Sequence, residues 1–421
     1  MTGWPIRALG DLIHVKHGFA FKGEYFASDG EKLVLKPGNF PIGGGLRLRP
    51  GKDDYYTGTY PPEFELTAGD MLIVMTDLTQ SAPILGSPAF VPETPTMLHN
   101  QRLGLVQIKP DVQLDRKFLY YAMLSDISRS QIRATATGAT VRHTAPERIY
   151  QVLLGIPEPS IQQAIGEILG SFDDLIENNR QRVKVLEEMA RTTYREWFVK
   201  FRYPGHDNVP LIDTAIGPIP QGWRVAALKD VAEITMGQSP SSEFYNSEGV
   251  GKPFHQGVAD FGLHFPATRK WCSVEGRSAN EGDVLVSVRA PVGRINIADT
   301  DITIGRGLAA IRSKNSRRGL LLGQLREAFA EEDSMGNDGA IFKSLGKAEL
   351  AAIPILIGPA DVAETVNNIL SDNLDMIRAI SQSTRRLTSL RDLLLPKLVT
   401  GQIDVAALDL DTTIGSRSHD G

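Results

Sequence analysis

Trp4-Pro-Ile-Arg-Ala-Leu-Gly-Asp-Leu-Ile-His-Val-Lys-His-Gly18 lies without a gap over Trp223-Arg-Val-Ala-Ala-Leu-Lys-Asp-Val-Ala-Glu-Ile-Thr-Met-Gly237, 219 residues further on. Ala8, Leu9, Asp11 and Gly18 then meet Ala227, Leu228, Asp230 and Gly237. Self-similarity on this scale means a unit built twice. Ala68-Gly-Asp-Met-Leu-Ile-Val-Met75 likewise meets Glu281-Gly-Asp-Val-Leu-Val-Ser-Val288, each a tight turn feeding a strand. Gln101-Arg-Leu-Gly-Leu-Val-Gln-Ile108 resembles Gly305-Arg-Gly-Leu-Ala-Ala-Ile311, and Thr137-Gly-Ala-Thr140 resembles Asp338-Gly-Ala-Ile341. Between Gly69 and Gly282 the spacing has shrunk to 213 residues, so the first copy carries extra residues in this region.

Both copies end in a strict register of 201 residues: Ile168-Leu169 over Ile369-Leu370, Asp174 over Asp375, Ile176 over Ile377, Gln181 over Gln382 and Leu186 over Leu387. Spacing that varies in strand-rich stretches and holds here marks two long helices. Leu169, Phe172, Ile176, Asn179, Val183, Leu186, Ala190, Thr193 and Trp197 step alternately by 3 and 4, one stripe along a helix. The second copy gives Leu370, Asn373, Ile377, Ile380, Thr384, Leu387, Arg391, Leu394 and Leu398. Each stripe needs a partner. The helices either dock separately on their own domains or pair with each other, in which case polar Asn179 helps to set the register; Thr193 and Arg391 are the less apolar seam positions.

The resulting organisation is α+β: a variable, strand-rich domain (1–159), a helix (160–200), a linker (201–222) rich in Pro and Gly, a second variable domain (223–359), a second helix (360–400) and a tail (401–421). Met71 to Thr76 and Val284 to Val288 read as strands and Phe118 to Leu124 as a helix.

At 421 residues the chain is long enough for more than one core, and 42% hydrophobic with 23% charged residues is the composition of a folded globular protein. The start, Met1-Thr2-Gly3-Trp4-Pro5, lacks the pattern of a secretory signal, and no stretch approaches the roughly 18 apolar residues of a membrane span. A cytoplasmic protein is expected. The single cysteine, Cys272, excludes an internal disulfide and a cysteine-based zinc site, and reads as a buried or half-buried thiol. The eight histidines are scattered, so no metal site is expected. A net charge of −5 counts against a lone chain held on nucleic acid mainly by phosphate attraction, unless partners or local patches such as Arg47, Arg49 and Lys52 supply the contacts.

Several linked segments carry a family resemblance: Phe172-Asp-Asp-Leu-Ile-Glu-Asn-Asn-Arg180, Arg195-Glu-Trp-Phe-Val-Lys-Phe-Arg-Tyr-Pro-Gly-His206 and Leu393-Leu-Leu-Pro-Lys-Leu-Val-Thr-Gly-Gln402. With Phe254-His-Gln-Gly-Val-Ala-Asp-Phe-Gly262, Val286-Ser-Val-Arg-Ala-Pro-Val-Gly293 and Gly305-Arg-Gly-Leu308, the chain resembles the specificity (HsdS-type) subunit of type I restriction-modification enzymes over nearly its whole length. That resemblance implies two target-recognition domains, each reading one half of a split double-stranded DNA site in the major groove. It also implies two helices in an antiparallel coiled coil that set the spacer, and an internal pseudo-two-fold repeat. The implied partners are two methyltransferase subunits, which supply the S-adenosylmethionine chemistry, and motor-nuclease subunits, which use ATP and Mg. This chain itself is then non-catalytic, binds no cofactor and does not contact membrane.

Arg or Lys suits guanine and Asn or Gln suits adenine. The candidates for base contact are Lys36, Asn39, Thr76, Gln101, Arg102 and Arg142 in the first domain, and His255, Gln256, Arg289, Arg306 and Lys343 in the second. Any one of them serves equally well as a fold-supporting or solvated side chain. Pro110-Asp111 with Asp115-Arg116-Lys117 imitates a metal-dependent nuclease, but Asp115 stands where a helix before Phe118 wants its cap. Tyr60-Pro61-Pro62 has the wrong order for an amino-methyltransferase loop, and Gly43-Gly-Gly45 lacks the ending of a phosphate loop. The rival readings are an enzyme fused to its own recognition domains, for which the sequence offers no catalytic constellation, and a coiled-coil scaffold with no role on DNA, which has no need of two unlike variable domains.

Overall fold

The computed structural model describes residues 3–214, 217–334 and 344–405. The chain forms two compact units, Met1–Glu177 with Arg385–Gly421, and Asn178–Thr384. Each unit therefore holds one strand-rich segment and one part of each long helix, Pro159–Tyr194 and Ala360–Val399.

In the first unit an antiparallel sheet runs in the order Ile13–His17, Leu103–Ile108, Met71–Val74, Pro88–Phe90. A second sheet runs Phe26–Ala27, Tyr55–Tyr56, Lys32–Leu35, Thr96–His99, its last pair parallel. The strand Met71–Val74 is buried on both faces, and its alternation assigns the faces. Met71 and Ile73 pack with Phe118 and Leu119 under the helices, whereas Leu72 and Val74 join Leu33, Leu35 and Leu103 under the second sheet. Each such side chain stabilises the unit by about 1.5–3 kcal/mol relative to its exposure.

The second unit repeats this connectivity. Its first sheet runs Ala232–Met236, Leu308–Ser313, Val284–Ser287, Ile295–Ile297. Its other sheet runs Tyr245–Asn246, Trp271–Cys272, Lys252–His255, Ile302–Ile304, Ser278–Ala279. Val284 and Val286 face the helices while Leu285 faces the other way. The turns before the two central strands are alike. The Asp70 carboxylate accepts from Thr67 N at 2.9 Å and that of Asp283 from Asn280 N at 2.8 Å, beside Gly69 and Gly282 at φ of 84° and 87°.

Asp115 caps the helix Arg116–Leu124 by accepting from Phe118 N at 2.7 Å, the structural role expected of it. Cys272 is buried.

Pro159 opens the first long helix, where its missing N–H costs nothing. That helix ends in a π turn at Arg195–Val199, after which Phe198, Phe201 and Tyr203 close on Trp223. Every position of both stripes is buried or half-buried. Within the first unit Ile165 and Leu169 share a core with Leu394, Leu395 and Leu398, and Arg391 Nη1 donates to Asp173 Oδ1 at 2.7 Å. Within the second, Val183 and Leu186 meet Leu374, Ile377 and Ile380. No helix among the described residues is long and apolar enough to cross a membrane.

Candidate nucleic-acid interface

Three segments converge at one end of the central sheet in each unit. The first is the loop that follows the strand Lys32–Leu35 or Lys252–His255. The second follows the central strand, and the third is the turn that precedes Leu103–Ile108 or Leu308–Ser313. Met75 N donates to Arg102 O at 2.9 Å and Val288 N to Gly307 O at 2.9 Å, so the second and third segments are tied in the same way in both units.

In the second unit this end forms a hollow of about 200 Å³ lined by Gln256, Val258, Arg289 and Arg306. Gln256, Arg289 and Arg306 are exposed, and neither arginine is ion-paired among the described residues. Their backbones are fixed from behind: Gln256 N donates to Asp260 Oδ2 at 2.8 Å, and Arg306 N to Ser239 Oγ at 3.2 Å. Cationic and amide side chains on a braced backbone form a surface suited to base edges. His255 is placed otherwise. It is fully buried, its Nε2 lies 3.5 Å from Thr268 Oγ1, and burial pushes its pKa down, so it supports the loop as a neutral ring. Lys343 lies outside the described residues.

In the first unit Gln101 and Arg102 are exposed on the corresponding turn, where Arg102 N donates to Asn100 Oδ1 at 3.1 Å. The other candidates are partly or wholly engaged. Lys36 pairs with Asp54 at 2.7 Å and sits 4.1 Å from the Phe26 ring centroid. Asn39 is 1% exposed: its Nδ2 donates to Asp53 Oδ1 at 2.7 Å and to Arg47 O at 3.3 Å, and its Oδ1 accepts from Lys36 N at 3.0 Å. No edge of that amide is left for a base. Thr76 is buried, with Oγ1 3.0 Å from His143 Nδ1. Arg142 is half-buried and donates to the carbonyls of Arg133 and Ala136 at 3.2 and 3.1 Å, which ties it to the end of the helix Asp126–Thr135.

The sequence reading missed Asp53, Asp260 and Ser239, the groups that brace these loops. Asp260 carried a signal, an acidic residue shortly after Gln256 and before Gly262, as in side-chain-capped turns. No group of three or more His, Cys, Asp or Glu side chains able to hold a metal occurs among the described residues.

Residues 1–188 match the family model of the type I restriction modification DNA specificity domain. A putative type I restriction enzyme MjaX specificity subunit of Methanocaldococcus jannaschii is 28% identical over 326 residues, covering 76% of this chain and 74% of that protein. The MjaIX specificity subunit of the same organism is 26% identical over 317 residues, covering 72% and 73%. The crystal structure of a type I restriction-modification S subunit from M. genitalium shares the fold, with a TM-score of 0.62 over 94% of this chain and 96% of that chain at 15% identity. The chain is thus similar to the specificity subunits of type I restriction-modification systems.

Proposed function

We propose that the chain chooses the DNA site for a type I restriction-modification complex, each unit reading one half of a split double-stranded target in the major groove. One observation carries this reading: the equivalent turn in both units presents an exposed side chain suited to a base edge, Gln101 in the first and Arg306 in the second, and the two differ. Lys36 and Gln256 follow equivalent strands, Thr76 and Arg289 follow the central strands, and Gln101 and Arg306 are equivalent in the turn that Leu103 N closes on Asn100 O at 2.9 Å and Leu308 N on Gly305 O at 3.0 Å. One scaffold with two sets of side chains suits two different half-sites. In the second unit Arg289 and Arg306 suit guanine and Gln256 suits adenine. In the first, Gln101 and Arg102 are the exposed readers, while Asn39 holds its loop in shape.

The two long helices then pair as an antiparallel coiled coil, within a pseudo-two-fold repeat, that sets the spacer between half-sites. The meeting of Leu169 with Leu398 in one unit and of Val183 with Ile377 in the other supports this pairing. Two methyltransferase subunits carrying S-adenosylmethionine dock on the helices, and motor-nuclease subunits bring ATP and Mg; the specificity chain contributes choice of site and no catalytic group. Partners that supply most phosphate contacts reconcile site selection with a net charge of −5. The reading places the chain in the cytoplasm, with the host's DNA.

The test is selection of bound duplexes from a randomised pool by the chain assembled with its methyltransferase partner. A split motif is expected, and Arg306→Ala should relax one base pair of one half-site. Selection of a continuous motif, or of none, refutes the reading.

A further inference from the structure

Backbone bonds fix where the loop after the central strand begins and ends in each unit. Gly86 N donates to Val74 O and Gly293 N to Ser287 O, each at 2.9 Å, while Val74 N donates to Ser87 O and Ser287 N to Arg294 O. Between these anchors lie residues 75–85 in the first unit and 288–292 in the second, so the first loop is six residues longer. Its start is in register with the other: Thr144 N donates to Met75 O and Leu345 N to Val288 O, both at 2.9 Å, which makes Thr76 the counterpart of Arg289. Ala82-Pro83 then lies over Ala290-Pro291, so five of the extra residues are Asp77-Leu-Thr-Gln-Ser81. Arg289 lines the hollow of the second unit, whereas Thr76 is buried against His143. The insert thus follows directly on the position where the first unit has no open side chain.

Asp77 holds that insert in one shape. Its carboxylate, 2% exposed, accepts from Thr79 N at 2.9 Å, from Thr79 Oγ1 at 2.8 Å and from Ile84 N at 2.8 Å. From behind, Arg129 donates to Pro83 O and, at 2.8 Å, to Ile42 O, and Ala82 and Leu85 are buried in one core with Ile132. Leu78, Thr79, Gln80 and Ser81 are exposed on this support. The Thr79 hydroxyl is spent on Asp77, but the Gln80 amide makes no hydrogen bond among the described residues, and Leu78 is 59% exposed despite its size. A free amide and a free apolar side chain on a braced backbone match an A·T pair seen from the major groove. Adenine sets a donor beside an acceptor, as the amide does, and thymine presents a methyl group.

We propose that the insert reads one A·T base pair in the half-site of the first unit, Gln80 forming paired hydrogen bonds with adenine N6 and N7 and Leu78 packing on the methyl of the thymine. The second unit, with its short loop, presents Arg289 at the base of the same segment and meets guanine there. The inference rests on the reading of each unit as the reader of one half-site, and adds to it a base pair and the two side chains that select it. Because Asp77 and Arg129 order the loop beforehand, little conformational entropy opposes the contact.

The experiment selects duplexes from a randomised pool with the chain assembled with its methyltransferase partner, unaltered and as Gln80→Ala, Gln80→Glu and Leu78→Ala. Gln80→Ala should relax one A·T position by about ten-fold, in the half of the motif that Arg306→Ala leaves intact. Gln80→Glu should turn that position towards cytosine, whose amino group donates to a carboxylate. With the unaltered chain, 7-deazaadenine at that position should weaken binding by about five-fold through loss of N7, and uracil for thymine by about four-fold through loss of the methyl. Leu78→Ala should abolish the uracil effect and keep the other. Circular dichroism reports whether each variant folds, and the two base analogues need no variant. A split motif unchanged by both Gln80 variants, a loss spread evenly over all sequences as a phosphate contact gives, or a change in the half that Arg306 reads overturns this proposal and leaves the function standing. Selection of no split motif by the unaltered chain overturns the function and this proposal with it.

Discussion

His99 is fully buried, with Nε2 2.9 Å from the Leu103 carbonyl; since a carbonyl only accepts, Nε2 carries the proton and donates. Burial lowers its pKa to about 4, against an ordinary value of 6.5. Between these values the unfolded chain takes up a proton that the folded chain refuses. The stability held at pH 7 is therefore lost as the pH falls from 6.5 towards 4, by about 2 kcal/mol at pH 5 from this residue alone. His264 acts in the same window and with the same sign. Denaturant unfolding at pH 7 and pH 5 should show the loss, and His99→Gln, which keeps a donor for Leu103, should flatten it; an unchanged pH dependence in that variant assigns the loss to other groups. The exposed readers behave differently. Arg306→Ala removes no packed group, so it should leave the melting temperature nearly unchanged and reduce discrimination at one base pair by about 1–3 kcal/mol, as measured by competition between duplexes.

At the level of elements, the turn that carries Arg102 or Arg306 is shaped by a glycine from another strand. A side chain at Gly18 would lie 2.6 Å from His99 O, and one at Gly237 would lie 2.9 Å from Ile304 O and run into the Gly305 carbonyl. These residues face each other in the repeat because each lets a backbone approach where a methyl group has no room. Gly237→Ala should cost about 1–3 kcal/mol in stability and displace the Arg306 turn, weakening one half-site and sparing the other. Thermal unfolding together with duplex selection separates these effects. The bond between Asp173 and Arg391 links two helical segments of the first unit, with the arginine largely withdrawn from solvent. Arg391→Leu leaves Asp173 with Tyr121 as its remaining partner and should destabilise that unit by about 1–3 kcal/mol, less than a fully buried pair because Asp173 is partly solvated.

For the whole molecule, the proposal makes each unit answerable to one half-site and the helices answerable to the distance between them. Exchange of residues 223–359 for the matching segment of a type I specificity subunit should change one half of the selected motif and leave the other half and the spacer intact. Four residues inserted near Ser381, about one helical turn, should lengthen the unread spacer by one or more base pairs without altering either half-site. A motif with its original spacer after that insertion moves the measuring role from the helices to the partner subunits.

The sequence by itself determined the doubling of the chain, the central strands and the helices, because these rest on local periodicity. Met71 to Val74 alternates between two cores, Gly69 and Gly282 supply the left-handed turns, and Asp115 caps the helix that follows it. It also marked the loop positions where the two copies differ. Only the tertiary structure decided which polar side chains there remain open. Asn39, Thr76 and His255 are of the types that read bases, but the same donors and acceptors satisfy buried backbone and carboxylate groups, and burial committed them to the fold. Nothing in the spacing of Gln256, Arg289 and Arg306 announces that they share one hollow, since strand pairing between distant segments brings them together.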